Sequence, residues 1–360
     1  HKAQTNTSCL HLTVMATCSL PSSPCYIPQR VSLNYKISSR AARIVKVHCA
    51  LDENQKGSQM TVSITGATGF IGKRLVKRLR ADNHNIHVLT RSRANADLVF
   101  PARDFPGIII SEEPRWKNSI EASNAVVNLA GLPISTRWSL EIKREIKQSR
   151  INVTSKVMEI INNSPNGSKP LVLVSSSAIG YYGTSETKVF NEDSPSGNDY
   201  LSEVCREWEA TALKADSDVR VVLIRTGIVL GKDGGALAKL IPLFMIFAGG
   251  PVGSGQQWFS WIHLDDMVNM IYEALTNNNY KGAVNATAPY PVRLAEMCVK
   301  LGDVLGRPSW LPVPDVVLKM MLGEGATVVL DGQKVLPVKA SNLGFNFQYP
   351  RIEAALKSLI

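Results

Sequence analysis

Between Met60 and about residue 230 the apolar positions form short runs that alternate with longer stretches of helical spacing. Val62 and Ile64 alternate with Thr61, Ser63 and Thr65, the period of two that a strand requires. Ile71, Leu75, Val76 and Leu79 then recur every three or four residues, which predicts an amphipathic helix. Further apolar runs occupy Ile86–Thr90, Ile108–Ile110, Ala125–Leu129, Leu171–Ser175 and Val219–Ile224, with helical patterns over Ser139–Ile161 and Leu201–Ala215. Strand–helix units with near-continuous apolar strands predict an α/β fold, a doubly wound parallel sheet covered on both faces with its ligand at the carboxyl ends of the strands. From Gly231 the pattern loosens into Gly- and Pro-rich loops and scattered helices, so 60–230 reads as the sheet domain and 231–360 as a smaller C-terminal substrate lobe.

The first fifty-one residues are different in kind. They hold no Asp or Glu, six Lys/Arg, many Ser and Thr, and no sustained apolar face, so they have no core to bury. Met15 reads as the natural start, with residues 1–14 as upstream extension, and 15–49 as a chloroplast transit peptide ending at Val47–His48–Cys49 before Ala50. This changes the charge balance. Six of the forty Lys/Arg fall in the segment to be removed, leaving 34 against 30 Asp/Glu, a net +4 in place of +10. No later stretch concentrates basic residues among aromatics, which argues against a nucleic-acid partner. Four of the six cysteines lie in the same segment; Cys205 and Cys298 alone suggest neither a disulfide framework nor a metal site, and no cluster has ligand spacing. The longest apolar run, Leu240–Ala248, is too short to span a bilayer, so a transmembrane segment is not expected, while peripheral membrane contact stays open.

Candidate chemistry begins at Gly66–Ala–Thr68–Gly69–Phe70–Ile71–Gly72, between the first strand and the first helix. Gly66 would turn the chain off the strand, Gly69 would let backbone N–H groups approach a pyrophosphate, and Gly72 would let the helix pack close. The second strand ends at Thr90–Arg91 with no acid there; an arginine at this point suits the 2′-phosphate of NADP(H), the alternative being a solvated loop side chain. Asn128–Leu–Ala130–Gly131 offers small residues where a nucleotide must lie against the backbone. The G-x-x-G-x-x-G spacing resembles extended or atypical short-chain dehydrogenase/reductases, and the resemblance implies a Rossmann-type fold.

In that superfamily a Ser, a Tyr and a Lys one turn later carry proton transfer while hydride moves at the nicotinamide. Ser175–Gly183 resembles the serine element, with Ser177 at the catalytic position and Tyr181 and Tyr182 as rival proton donors. Tyr200 resembles the catalytic tyrosine, but Val204 stands where the lysine would be, so Tyr200 reads either as a proton donor or as a structural residue at a helix start.

The set Thr65–Gly72, Asn128–Gly131, Ser175–Gly183, Cys205–Glu209, Ser260–Asp265, Asn285–Pro289, Leu305–Pro308, Leu311–Pro314 and Gly332–Pro337 resembles one branch of the NAD-dependent epimerase family, SulA-like nucleotide-sugar epimerases with their own C-terminal domain. That resemblance implies an NADP-dependent oxidoreductase or epimerase acting on a small molecule. With the presequence it implies a stromal protein, or one at the stromal face of the inner envelope, linked to chloroplast division and its proteins; the alternative is a dinucleotide-binding regulator without catalysis. Within Gly249–Asp266, the residues Gln256, Gln257, Trp258 and His263 are the candidate substrate contacts, although a lone histidine and two tryptophans also suit a core.

Overall fold

The computed structural model describes residues 59–360; the upstream extension and the transit-peptide reading lie outside the described residues. The first half runs β1 (Thr61–Thr65), α1 (Phe70–Ala81), β2 (Asn85–Thr90), α2 (Arg93–Val99), β3 (Ile109–Glu112), α3 (Trp116–Glu121), β4 (Ala125–Asn128), α4 (Leu140–Asn163) and β5 (Val172–Ala178). There follow β6 (Ser185–Phe190), α5 (Tyr200–Ala212), β7 (Arg220–Thr226), the short hairpin β8 (Ile228–Gly231) and β9 (Gly234–Gly235), and α6 (Leu237–Met245). The chain continues through β10 (Trp258–Phe259), β11 (Trp261–His263), α7 (Leu264–Thr276), β12 (Gly282–Ala286), β13 (Val292–Arg293) and α8 (Leu294–Leu305), and finishes with α9 (Asp315–Leu322), α10 (Thr327–Leu330), β14 (Gln333–Val335), α11 (Val338–Asn342) and α12 (Ile352–Leu359).

Seven strands form one sheet in the order β3-β2-β1-β4-β5-β7-β12, and every neighbouring pair is parallel. From β1 the chain winds outward to β3 and then returns to β4 on the other side, so the loops after β1 and β4 part and leave a crevice at the switch point. The expected Rossmann-type doubly wound sheet is therefore present. The boundary at residue 230 is not a clean cut, because Gly282–Ala286 re-enters the sheet beside β7. This strand, Gly–Ala–Val–Asn–Ala, has a single large apolar residue, and its apolar pattern is too thin to be seen without its neighbour.

Period-two alternation sorts the strands between two cores. Val62, Ile64, Val127, Val174, Val222 and Ile224 pack with Leu75, Val76 and Leu79 of α1 and Met267, Met270 and Ile271 of α7. On the other face Val126, Leu173 and Leu223 meet Trp116, Val157, Ile161 and Ala212 from α3, α4 and α5. The C-terminal lobe has its own core, built from Leu237, Phe244, Phe259, Trp261, Met297, Leu301 and Leu356 among others.

One polar tie crosses the sheet's upper edge. Glu209 of α5 and Arg225 of β7, both buried, form a two-pronged ion pair, with Arg225 Nε donating to Oε1 at 2.9 Å and Nη2 to Oε2 at 2.8 Å. Arg225 Nη1 also donates to the Tyr182 hydroxyl at 3.0 Å, which donates to Asn285 Oδ1 of β12 at 2.6 Å. Burial opposes the Arg225 charge, but the carboxylate outweighs it and holds the guanidinium above its ordinary value. Glu209→Gln would leave a buried cation without its partner. We expect a loss of about 3–5 kcal/mol in urea unfolding. Replacement of both members by methionine should recover most of that loss; a double variant as unstable as the single would show that the carboxylate, not the stranded charge, is what matters.

Candidate functional site

The glycine turn is built as its spacing suggests. Gly66 has φ +68°, a conformation that disfavours side chains, and a Cβ there would come within 2.8 Å of the Leu129 carbonyl group. A Cβ on Gly72 would lie 2.6 Å from the Ala67 Cα, so the close seat of α1 on the turn depends on glycine. Gly69 N–H donates to the Gly66 carbonyl at 3.0 Å, and Gly69 itself is exposed. It is the N-cap of α1 and provides no side-chain cap, and no acid occupies the first turn, so the helix presents its first N–H groups and positive dipole end to an outside anion. Thr68 is half-buried in the turn. The Phe70 ring is committed elsewhere, packed against Gly231 and Gly234 of the β8–β9 hairpin.

Beyond the turn opens a cleft of ≈ 320 Å³ between the carboxyl ends of the strands and the C-terminal lobe. Ile71, Leu129 and Gly131 line it on the glycine-turn side, Ile146 and Arg150 from α4, Ser176–Gly180 from β5 and its end, and Trp258 and Gln333 from the lobe. From α5 come Leu201, Val204, Cys205 and Trp208, the three- and four-residue spacing of one helix face. Tyr200 shares the phase of Val204 and Trp208 but opens the helix and does not line the cleft. Its phenol donates to the Lys143 backbone carbonyl, and its ring packs edge-on against Trp138 at 5.3 Å. Of the two readings of Tyr200 these contacts favour the structural one: its hydroxyl is spent on α4, whereas the pairs at i and i+4 that line the cleft are Leu201 with Cys205 and Val204 with Trp208. Tyr181 is not at the cleft wall either, since its ring lies under the Arg225 guanidinium at 3.5 Å. Tyr182 is buried, its hydroxyl is held by Arg225 and Asn285, and burial pushes it up to about 12. Neither a tyrosine nor a lysine lines the cleft among the described residues.

Ser177 does line the cleft, but its hydroxyl donates to Glu209 Oε1 at 2.6 Å, which leaves its oxygen only to accept. Asn128 is fully buried and cannot meet a nucleotide directly. Thr65 Oγ1 donates to its Oδ1 at 2.6 Å, and its Nδ2 donates to Thr154 Oγ1 at 2.8 Å, which also accepts from Trp208 Nε1 at 2.9 Å. It ties β1 and β4 to α4 and α5. Ala130 is half-buried and Gly131 exposed, next to the cleft.

The four lobe candidates separate. Trp258 lines the cleft, with its indole N–H on the Glu186 carbonyl at 2.8 Å and Arg293 over its ring at 3.9 Å. Gln256 is exposed, outside the cleft wall. Gln257 is buried, donating to the Val252 and Val329 carbonyls at 3.0 Å each, and holds the lobe together. His263 caps α7, accepting from the Asp265 N–H at 3.0 Å, and its ring lies 3.9 Å from Tyr349. Burial pulls its pKa down to about 4, so it is a neutral structural imidazole rather than a proton shuttle. Arg225, at the end of β7, is spent on the buried ion pair with Glu209.

Arg91 sits exposed just past β2 without a hydrogen bond among the described residues, whereas Arg93 is drawn to the Ile110 carbonyl at 3.2 Å. Arg150 escaped the sequence reading, and Cys205 entered it only as a cysteine without a partner and within a family resemblance. The Cys205 thiol is pushed up to about 12, chiefly by burial and then by Glu209, so it is protonated and inert as a nucleophile. Among the described residues Arg150 is the only basic one on the cleft wall, which also carries Asp199 and Asp331. Arg150 had no motif to announce it. Among the described residues no group of three or more His, Cys, Asp or Glu could hold a metal ion, and no helix is long and apolar enough to cross a membrane.

Comparison with known proteins agrees with this architecture. Residues 62–286 match the NAD dependent epimerase/dehydratase family, and 313–359 match a domain of unknown function. The chain is 71% identical to an Arabidopsis thaliana chloroplastic homologue of epimerase family protein SDR39U1 over 310 residues, covering 86% of this chain and 89% of that protein. It is 36% identical to Bacillus subtilis epimerase family protein YfhF over 304 residues, covering 84% and 98%. The crystal structure of human SDR39U1 (isoform 2) with NADPH superimposes with a TM-score of 0.74 at 33% identity, covering 83% of this chain and 99% of that one. A Bacillus cereus UDP-glucuronic acid 4-epimerase, at 16% identity and a TM-score of 0.67, shares the fold alone. The parallel sheet, the glycine turn at its switch point and the match over most of the described chain establish that this protein belongs to the NAD dependent epimerase/dehydratase family.

Proposed function

We propose that this chain is an NADP(H)-dependent oxidoreductase of reductase or epimerase type that works in the chloroplast on a small carbonyl or hydroxyl compound. The observation that carries the reading is the uncapped start of α1 at Gly69, two residues from Ile71 on the wall of a cleft at the carboxyl ends of the sheet. Gly66, Thr68, Gly69, Ile71 and Gly72 would hold the pyrophosphate end, Ala130 and Gly131 the nucleotide's path along the sheet, and Arg91 the 2′-phosphate. The NADPH in the human relative and the chloroplastic designation of the Arabidopsis relative support the cofactor and the address. The bound nicotinamide would supply or accept hydride. The chain's part is to exclude water with Ile71, Leu129, Val204 and Trp208 and to place the substrate. The cleft wall lacks the phenol and ammonium that the superfamily uses for proton transfer, so turnover should be slow.

The same absence favours a second reading, a dinucleotide-binding regulator without catalysis. Resemblance to the plant Giant Chloroplast protein supports a link to plastid division under either reading, and a SulA-like branch fits the distinct C-terminal segment 313–359.

If Arg91 meets the 2′-phosphate, Arg91→Ala should weaken NADPH by roughly 1.5–3 kcal/mol in calorimetric titration, the scale of a charge-assisted hydrogen bond, and leave NADH nearly unchanged. Equal losses for both nucleotides would reject the assignment. Gly69→Val should abolish binding of both, because the side chain fills the phosphate's approach. Catalysis has its own test. Leu201→Tyr combined with Cys205→Lys places phenol and amine one helical turn apart on the cleft face, and should raise NADPH oxidation with a screen of carbonyl compounds above the wild-type rate. If the double variant binds NADPH yet stays as inactive as the parent, the regulator reading takes precedence. Plastid size in plants carrying the Gly69→Val protein then decides whether nucleotide binding serves that role.

A further inference from the structure

The cleft holds one feature that the cofactor reading does not use. Ile146, Arg150 and Thr154 follow one another at four-residue spacing along the inner edge of α4; the first two line the cleft and the third anchors Asn128 and Trp208. The Arg150 guanidinium lies against Gly131, where a Cβ would come 3.2 Å from its Cζ, and its Cζ is 5.3 Å from the centre of the Trp208 ring. Nη1 donates to the Ile146 carbonyl at 2.8 Å and Nη2 to the Leu132 carbonyl at 2.9 Å. A guanidinium has five N–H donors in a planar fork, so these two neutral acceptors leave donors over.

No ion pair among the described residues includes Arg150. The contrast with Arg225, also held beside this cleft, is direct: Arg225 has Glu209, while Arg150 has only carbonyl dipoles. Burial draws the Arg150 pKa below its ordinary value, yet a guanidinium stays charged at neutral pH. A half-buried cation without a counterion is costly to keep, and here its unused donors meet a cleft open to ligand.

We propose that Arg150 is the anchor for a carboxylate on the substrate, so that the cleft takes a small carbonyl compound bearing a monoanionic carboxyl group. This rests on the cofactor reading above, because the nicotinamide would form the floor on which that compound lies. A planar carboxylate matches the fork with two parallel hydrogen bonds. A phosphate dianion suits the cleft less, because Asp199 and Asp331 line it as well and would repel the second charge. The Asp331 carboxyl already stands above its ordinary value, through burial and then through the neighbouring Asp199.

Oxamate is a suitable probe, a planar monocarboxylate that cannot be reduced, and oxamide is its neutral isostere. In calorimetric titration of the full chain saturated with NADPH, oxamate should bind wild type and lose roughly 10- to 100-fold in Arg150→Gln, the range of a charge-assisted contact. Arg150→Lys, which keeps the charge but not the fork, should fall between. NADPH affinity and thermal midpoint should stay near wild type in both variants, and weak oxamide binding should not respond to the substitutions. Failure of oxamate to bind the NADPH-loaded protein, or equal binding by Arg150→Gln, would overturn the proposal while leaving the cofactor reading intact. Inorganic phosphate that competes more strongly than oxamate would overturn the choice of a carboxylate. Loss of NADPH affinity in both variants would assign Arg150 to the cofactor instead, and failure of wild type to bind NADPH at all would remove the reading beneath it.

Discussion

The buried pair between Glu209 and Arg225 sets the geometry on which the cleft depends. A guanidinium and a carboxylate joined through two parallel hydrogen bonds admit little rotation, and they connect a helix to a strand. Once Glu209 must meet Arg225 on β7 and Ser177 on β5, the rotation of α5 about its axis is settled. Leu201, Val204, Cys205 and Trp208 then face inward, and Tyr200, one turn before Val204, lies at the edge of that face against α4. Such a pair contributes little net stability after desolvation, so its value lies in the single arrangement it permits.

The two ends of the cleft are built on different physics. At the glycine turn the backbone does the work: a positive φ, a close helix seat and a row of N–H groups without a side-chain cap. Backbone geometry of this kind survives wide changes in the surrounding side chains. At the other end side chains would have to act, and there the wall is mostly apolar, with a protonated thiol, a serine already donating to a carboxylate, two aspartates and one arginine. Binding is thus better provided for than proton transfer.

The C-terminal lobe is fastened to the sheet by buried carboxylates and carbonyls rather than by a flexible hinge. Asp266 of α7, fully buried, accepts the N–H groups of Gln348 and Tyr349 at 2.8 and 2.9 Å. Glu192 accepts from Asn285 N–H at 3.0 Å and from Lys339 N–H at 3.2 Å. Segments that follow the sheet in sequence are in this way locked to it in space, and β12 completes it.

The sequence alone was enough for the features that local rules dictate. Short apolar runs located six of the seven sheet strands to within a few residues, and the spacing of Gly66 and Gly72 carried the turn and the close helix seat, because a turn and its helix interact over a few residues of chain. Arg91 was distinguished by the absence of an acid, which is a fact of sequence; its freedom from Ile110, in contrast to Arg93, is a fact of structure. The fate of Tyr200 lay beyond the sequence. It stands in phase with Val204 and Trp208, and only its contacts with Lys143 and Trp138, distant in the chain, take its hydroxyl out of the cleft. Likewise Asn128, Gln257 and His263 have the chemistry of ligand contacts, and burial among distant neighbours turns them into ties. Arg150 went unremarked for the converse reason: nothing in its local pattern separates it from a solvated helix residue until the fold brings Gly131 and Trp208 beside it without a carboxylate.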